Sequence, residues 1–254
     1  MADIVESWAE MLEDVGIRGT GTPLPTQRIY GFLQWTLVPM LRLFLRIRPR
    51  GLERVPAGGT IIAANHLSHV DPVVIISTLR KKLHYLAKDE HFTTPGVSFV
   101  VKATGQIKTE RESGAADALA RASDILYSGR SLGIFPEGTR SKRTEAPFLL
   151  PGKTGVARLA ASHPDIPVVP VALVGTREVM APKIHRIPRF WRRMDLNVGH
   201  PMTWNSFLEQ SGTSIEELEA IKAMEEHDRK AAVSSLYRDF TDEIMKRIEA
   251  EGAP

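Results

Sequence analysis

Four short runs in this 254-residue sequence gather side chains able to move protons or hold anions. The first is Asn65-His66-Leu67-Ser68-His69-Val70-Asp71-Pro72. A tight turn lets an aspartate five residues past a histidine accept from one imidazole nitrogen. The other nitrogen is then left as a general base. That is two-thirds of a hydrolase triad, with a substrate hydroxyl in place of the serine. Spacing alone is weak, because eight His and eleven Asp give roughly 0.35 such pairs by chance. The setting adds weight. An apolar strand precedes the run and an apolar helix follows, at the carboxyl edge where open α/β sheets place ligands. Pro72 suits the first helical position and Asp71 the cap before it. In the plainer reading Asp71 only caps that helix and His66 is an ordinary turn residue. His66, His69 and Asp71 are also metal-ligand types, but they lack a further partner, and no metal is expected. His69 reads as a residue of the helix start.

The second run is Phe135-Pro136-Glu137-Gly138-Thr139-Arg140-Ser141, again at the end of an apolar strand. An arginine grips phosphate bidentately, and Glu and Thr can hydrogen-bond a polyol. The alternative is a surface turn with a local Glu–Arg pair. The third run, Gly105-Gln106-Ile107-Lys108-Thr109-Glu110-Arg111, offers Arg111 as a second anion ligand or as a solvated charge at a helix start. The fourth, Lys153-Thr154-Gly155, opens a helix whose free N–H groups favour anions. A buried strand with Pro170, from Ile166 to Val171, is expected to shape a pocket wall. No Walker-type loop and no dinucleotide-binding glycine pattern occurs.

The elements that must position these runs alternate. Strands are expected at Thr60–Ala64, His84–Ala87, Gln106–Lys108, Ser131–Phe135, Val168–Val174 and Asp195–Val198. Pro72–Leu79 is apolar all round and reads as a buried helix. A stripe from Ala115 to Leu126 marks a helix with Ser113 as its cap. Lys153–Ser162 reads as another helix. Ser214 with Glu217 resembles a capping box, and Val233, Leu236, Phe240, Ile244 and Ile248 line a long amphipathic helix. This alternation implies an α/β fold with a mostly parallel sheet flanked by helices. Residues 1–50 form an N-terminal helical appendage, a membrane-associating segment, and 51–254 form the main domain. Within the first part, residues 3–13 suggest a short helix and 16–26 a loop. Ile29–Ile47 is the most apolar stretch. It is too short and too broken for a span, so it is either interfacial or a helix buried on the domain.

Composition narrows the class. At 43% hydrophobic and 25% charged the chain is an ordinary globular one, which excludes a polytopic membrane protein and extensive disorder. The 33 basic and 30 acidic residues nearly cancel, but they are unevenly placed. Residues 28–54 carry six Arg against one Glu, and 177–193 carry five Arg and one Lys against one Glu. Residues 209–251 hold twelve acids against six bases. Basic patches of this kind suit phosphates, anionic membranes or nucleic acid. With no cysteine, thiolate catalysis, disulfides and Cys-based zinc sites are excluded. The acidic N-terminus lacks the apolar core of a secretory signal.

Taken in order, these runs resemble the 1-acylglycerol-3-phosphate O-acyltransferase family of glycerolipid synthesis. Its His-x4-Asp box is matched by NHLSHVDP and its Gly-x-Ile-x3-Arg box by GQIKTER. Its Phe-Pro-Glu-Gly-Thr-Arg-Ser box is matched in full, and IPVVPV matches its closing apolar strand. Lys88 and Lys153 also fall where the family often carries lysines. The resemblance covers about residues 60–175. It implies acyl transfer from acyl-CoA or acyl carrier protein to a glycerol hydroxyl, with no cofactor beyond the acyl donor. His66 would be the base and Asp71 its orienting partner. Glu137, Gly138 and Thr139 would position the acceptor's head, and Arg111, Arg140 and Lys153 would hold its phosphate. Backbone N–H groups near the helix start would stabilise the oxyanion. The Gly-Thr pair in the third box points to lysophosphatidate rather than glycerol 3-phosphate as acceptor. The partners implied are the acyl donor, a lysophospholipid or glycerol phosphate acceptor, and an anionic membrane surface. Attachment is expected on the cytoplasmic side of the cell membrane, peripheral or monotopic. A thioesterase or lipid ester hydrolase using the same His–Asp pair is the competing class. A non-catalytic anion- or nucleic-acid-binding module would leave four ordered boxes without a purpose, and no nucleic-acid partner is expected.

Overall fold

The computed structural model describes residues 2–24, 28–88, 106–109, 114–182, 184, 185 and 187–254, with positions 98, 101 and 104 between. Arg111 and Ser113 lie outside the described residues, as do Lys183 and Arg186.

Among the described residues seven strands form one sheet in the order β1-β7-β6-β2-β5-β3-β4. They are β1 (Ile47–Arg50), β2 (Ile61–Ala64), β3 (Leu83–Lys88), β4 (Ile107–Thr109), β5 (Ser131–Ile134), β6 (Val168–Val174) and β7 (Met194–Val198). Every pairing is parallel except β6 with β7. The expected α/β class and mostly parallel sheet are therefore present. Side chains alternate between the two faces, as strand geometry requires. Ile61 and Ala63 of β2 enter one core, and Ile62 and Ala64 enter the other. Central strands buried on both faces read as unbroken apolar runs, which is why β2 and β6 were legible in the sequence.

Among the described residues two helices cover one face: α2 (Arg28–Phe44) and α3 (Asp71–Leu79). The other face carries α1 (Ala2–Val15), α4 (Gly114–Tyr127), α5 (Gly155–Ser162), α7 (Trp204–Gln210), α8 (Ile215–Ala223) and α9 (Glu226–Ala250). A short α6 (Thr176–Met180) follows β6. The stripe on α9 is buried as its periodicity demands, with Phe240, Ile244 and Ile248 fully enclosed. Ser214 caps α8 by accepting from the Glu217 N–H at 3.1 Å.

Residues 1–50 contribute more than helices. Trp8 of α1 is fully buried against Trp204, with ring centroids 4.9 Å apart, and its indole N–H donates to the Ala161 carbonyl. Strand β1 was not expected. Its sequence, Ile-Arg-Pro-Arg, has one partly buried residue and three exposed ones, so it carries almost no apolar signal. It forms because its backbone completes the sheet edge beside β7. Two expectations are corrected on the α3 side. The helix is not buried all round, since Val73 is 41% exposed. Asp71 lies inside its first turn rather than at its cap. Pro170 sits mid-strand in β6, against Gly199, where a Cβ would come within 2.9 Å of the proline ring.

Candidate active site

Both leading runs emerge at the carboxyl edge of the sheet, from the neighbouring strands β2 and β5. Ala63 pairs with Ile134, so the chain after Ala64 and the chain after Ile134 leave the sheet side by side. Asn65 extends the ladder with its side chain: its Nδ2 donates to the Leu173 carbonyl at 2.9 Å, and its Oδ1 accepts from the Leu173 N–H at 2.7 Å. The backbone is thereby fixed one residue before His66.

The His66–Asp71 pair is formed. His66 Nδ1 and Asp71 Oδ2 lie 2.8 Å apart. Asp71 is fully buried, while the His66 side chain remains 17% exposed. The same Asp71 oxygen accepts from the Leu67 and Ser68 N–H groups, each at 2.7 Å. Its carboxylate therefore organises the turn before the helix rather than the helix itself, which explains its displacement from the expected cap. Its contacts also occupy the Leu67 and Ser68 N–H groups, so neither of these is open to an oxyanion. The other face of the site is aromatic: the His66 ring stacks on Phe135, centroids 3.9 Å apart and planes 13° from parallel. With Nδ1 committed to Asp71, the nitrogen left for a substrate proton is Nε2.

Arg140 reaches the same turn from the second run, its Nη1 donating to the His69 ring. Burial pulls the Arg140 guanidinium below its usual range, and nearby Asp71 pulls it back up. Gly138 and Thr139 are exposed on this turn. Gly138 has φ +66°, and a Cβ there would meet the Lys153 side chain at 3.0 Å. The positive φ favours glycine here, and any other side chain would also have to displace the lysine lying over it. Lys153 is exposed and tied to the turn by its own N–H, which donates to the Pro136 carbonyl at 2.8 Å. The structure thus brings His66, Asp71, Gly138, Thr139, Arg140 and Lys153 together.

Glu137 is placed differently from its expected role at the acceptor. It is 2% exposed and turned into the protein. Its Oε1 accepts from the His66 N–H at 2.5 Å and its Oε2 from the Leu150 N–H at 3.0 Å. Burial pushes this carboxyl up to about 7, helped by Asp71, while the two N–H groups and Arg143 act in the opposite direction. Two contacts at the site are not expected from the sequence: Phe135 is the platform for His66, and the Ser68 hydroxyl donates to the Met180 carbonyl at 2.7 Å. Each stands within or beside a recognised run, but its partner lies far off in sequence.

The segment that carries this site is similar to known proteins. The Acyltransferase family model matches residues 46–174. A chloroplastic 1-acyl-sn-glycerol-3-phosphate acyltransferase of Arabidopsis thaliana is 31% identical over 147 residues, covering 54% of this chain and 38% of that protein. One from Borreliella burgdorferi is 32% identical over 135 residues, covering 52% of each. The chain spans about half or less of the length of these relatives. The crystal structure of the 1-acyl-sn-glycerophosphate acyltransferase PlsC from Thermotoga maritima shares the fold. Its TM-score is 0.54 at 22% identity, covering 96% of this chain and 83% of that one. The paired His66 and Asp71 and the turn that carries Arg140 all lie within the matched segment, and the chain belongs to the acyltransferase family.

Proposed function

We propose that this chain moves a fatty acyl group from an acyl thioester to a hydroxyl of a glycerol phosphate, with lysophosphatidate as acceptor and phosphatidate as product. The observation that carries this reading is the 2.8 Å contact between His66 Nδ1 and buried Asp71, with the Arg140 guanidinium on the same turn. His66 Nε2 takes the acceptor's hydroxyl proton, and Asp71 stabilises the imidazolium that forms. The alkoxide attacks the thioester carbonyl, the carbon–sulfur bond breaks, and the departing thiolate receives the proton from His66. The new ester and a free thiol account for every atom. The donor is acyl-CoA or acyl carrier protein, and no cofactor enters the step. Arg140, Lys153 and Thr139 hold the phosphate and polar head, Gly138 lets Lys153 lie close, and Arg111 is proposed as a further anion ligand. The names of the relatives, all acyltransferases of 1-acylglycerol phosphates, support this acceptor.

A lipid acceptor requires a lipid-facing surface. Among the described residues no helix is long and apolar enough to cross a membrane. Helix α2 is anchored on one side, where buried Tyr30 donates to the Leu83 carbonyl and accepts from the Leu83 N–H. Its other side exposes Phe32, Trp35, Met40 and Phe44. Ile184, Ile187, Phe190 and Trp191 are exposed in a second segment that also carries Arg189, Arg192 and Arg193. Aromatics and basic side chains together suit peripheral attachment to an anionic leaflet.

The test crosses glycerol 3-phosphate, lysophosphatidate and other lysolipids with several acyl-CoA and acyl carrier protein donors. Ester formation restricted to phosphate-bearing acceptors supports the proposal. Free fatty acid released from acyl-CoA alone, with no ester product, would make the chain a thioesterase instead.

A further inference from the structure

We propose that Glu137 is a positioning residue for the catalytic histidine rather than a ligand of the acceptor, an inference that rests on the acyl-transfer reading of this site. Three successive backbone N–H groups, those of His66, Leu67 and Ser68, point into the protein and are all taken by carboxylates. Asp71 accepts from Leu67 and Ser68, and Glu137 accepts from His66. The His66 carbonyl is held as well, accepting from the Ser141 N–H at 3.0 Å. Both backbone groups of His66 are therefore bound by the Phe135–Ser141 turn, and its ring rests on Phe135 from the same turn. Rotation of the His66 backbone would carry Nε2 away from an acceptor held by Arg140.

The second oxygen of Glu137 explains how the clamp stays rigid. It accepts from the Leu150 N–H. The two N–H groups before it, of Phe148 and Leu149, both donate to the Pro254 carbonyl, at 3.1 and 2.8 Å. Three consecutive donors of this loop are thus fixed, two to Pro254 and one to Glu137. A glutamate reaches both His66 and Leu150 because its two oxygens accept in different directions. An acceptor ligand would instead need an oxygen open to the substrate, and Glu137 is 2% exposed.

Glu137→Gln separates the two roles, because the amide keeps one acceptor and replaces the other with a donor facing an N–H group. Steady-state kinetics with lysophosphatidate and acyl-CoA should show kcat falling by roughly 10²-fold, the cost of a small misplacement, with acceptor KM within about twofold of wild type. Arg140→Ala, run alongside, should show the opposite split. NMR of labelled His66 gives a second readout that needs no turnover. Wild type should hold the single tautomer with its proton on Nδ1, and Glu137→Gln should populate both. Raised KM with unchanged kcat would overturn the proposal and return Glu137 to the acceptor site. So would an unchanged tautomer in the variant. If wild type transfers no acyl group to any glycerol phosphate while the tautomer still responds, the clamp stands and the functional reading fails.

Discussion

The role proposed for His66 depends on neighbours that hold it in place, one of which, Asp71, also shares in the proposed chemistry. Asn65 fixes the strand end, Asp71 sets the tautomer, Phe135 supports the ring and Glu137 with Ser141 holds the backbone. Removing the proposed base, in His66→Ala, should cut kcat by about 10²–10⁴, the usual worth of general-base catalysis. Asp71→Ala should lose activity heavily too, and the double variant should lose little beyond the worse single one, since the pair acts as a unit. Additive losses would show that the two act separately. Arg140→Ala should raise the KM of a phosphate-bearing acceptor about ten- to a hundredfold, because a charge-assisted contact is worth about 1.5–3 kcal/mol. Arg140→Lys should restore part of it, since an ammonium makes no bidentate fork. Titrating both variants with lysophosphatidate checks this, and an unchanged acceptor KM would remove Arg140 from the phosphate site. The His–Asp pair was legible because its two members are five residues apart and a single turn closes them. The place of Glu137 is not legible in the sequence because its partners are 71 and 13 residues away, and residue type does not say which way a buried carboxylate faces.

At the scale of elements, burial on one side and exposure on the other distinguish α2 from the core helices. Periodicity showed its apolar content, but its fate depended on what packed against it. The structure gives both answers at once: Tyr30 and Val38 are buried, and Phe32 and Trp35 face out. Replacing Phe32 and Trp35 with serine should weaken flotation with anionic liposomes while leaving Tm nearly unchanged. Changing Arg189, Arg192 and Arg193 to Glu should do the same and remove the salt dependence of binding. Retained flotation in both variants would place the lipid surface elsewhere. Trp8→Ala offers the contrast, because that ring is enclosed by Trp204 and its N–H is bonded to Ala161. A loss of about 3–5 kcal/mol is expected there, measured by denaturant unfolding. Helix α1 was visible as a helix, but its place in the core was not, since only the tertiary partner Trp204 reveals it. Strand β1 was invisible for the converse reason: its register comes from β7 and not from its own side chains.

Across the whole molecule, two buried titrating groups give stability a distinctive pH dependence. His163 is enclosed beside Tyr127, its Nε2 2.8 Å from Ser123 Oγ, and burial pushes it from 6.5 down to about 4. The folded state resists its protonation, so this contribution is complete above pH 6.5 and is lost as pH falls toward 4. Glu137 is raised from 4.5 to about 7, and the folded state holds its proton more tightly. Its contribution is complete below 4.5 and is lost as pH rises through 7. Between 4.5 and 6.5 the two oppose each other. Tm measured against pH should therefore fall less on the acid side in His163→Gln, and decline less toward neutrality in Glu137→Gln. Curves parallel to wild type would contradict these assignments. Acyl transfer by the whole chain, as proposed, is open to one direct measurement. Purified wild type and His66→Ala are each given labelled acyl-CoA and lysophosphatidate, and phosphatidate, free CoA and free fatty acid are all quantified. Wild type should yield phosphatidate and CoA in equal amounts with little fatty acid, and His66→Ala should form phosphatidate roughly 10²–10⁴ times more slowly. Phosphatidate formed by His66→Ala at the wild-type rate, or fatty acid in place of phosphatidate, would contradict it.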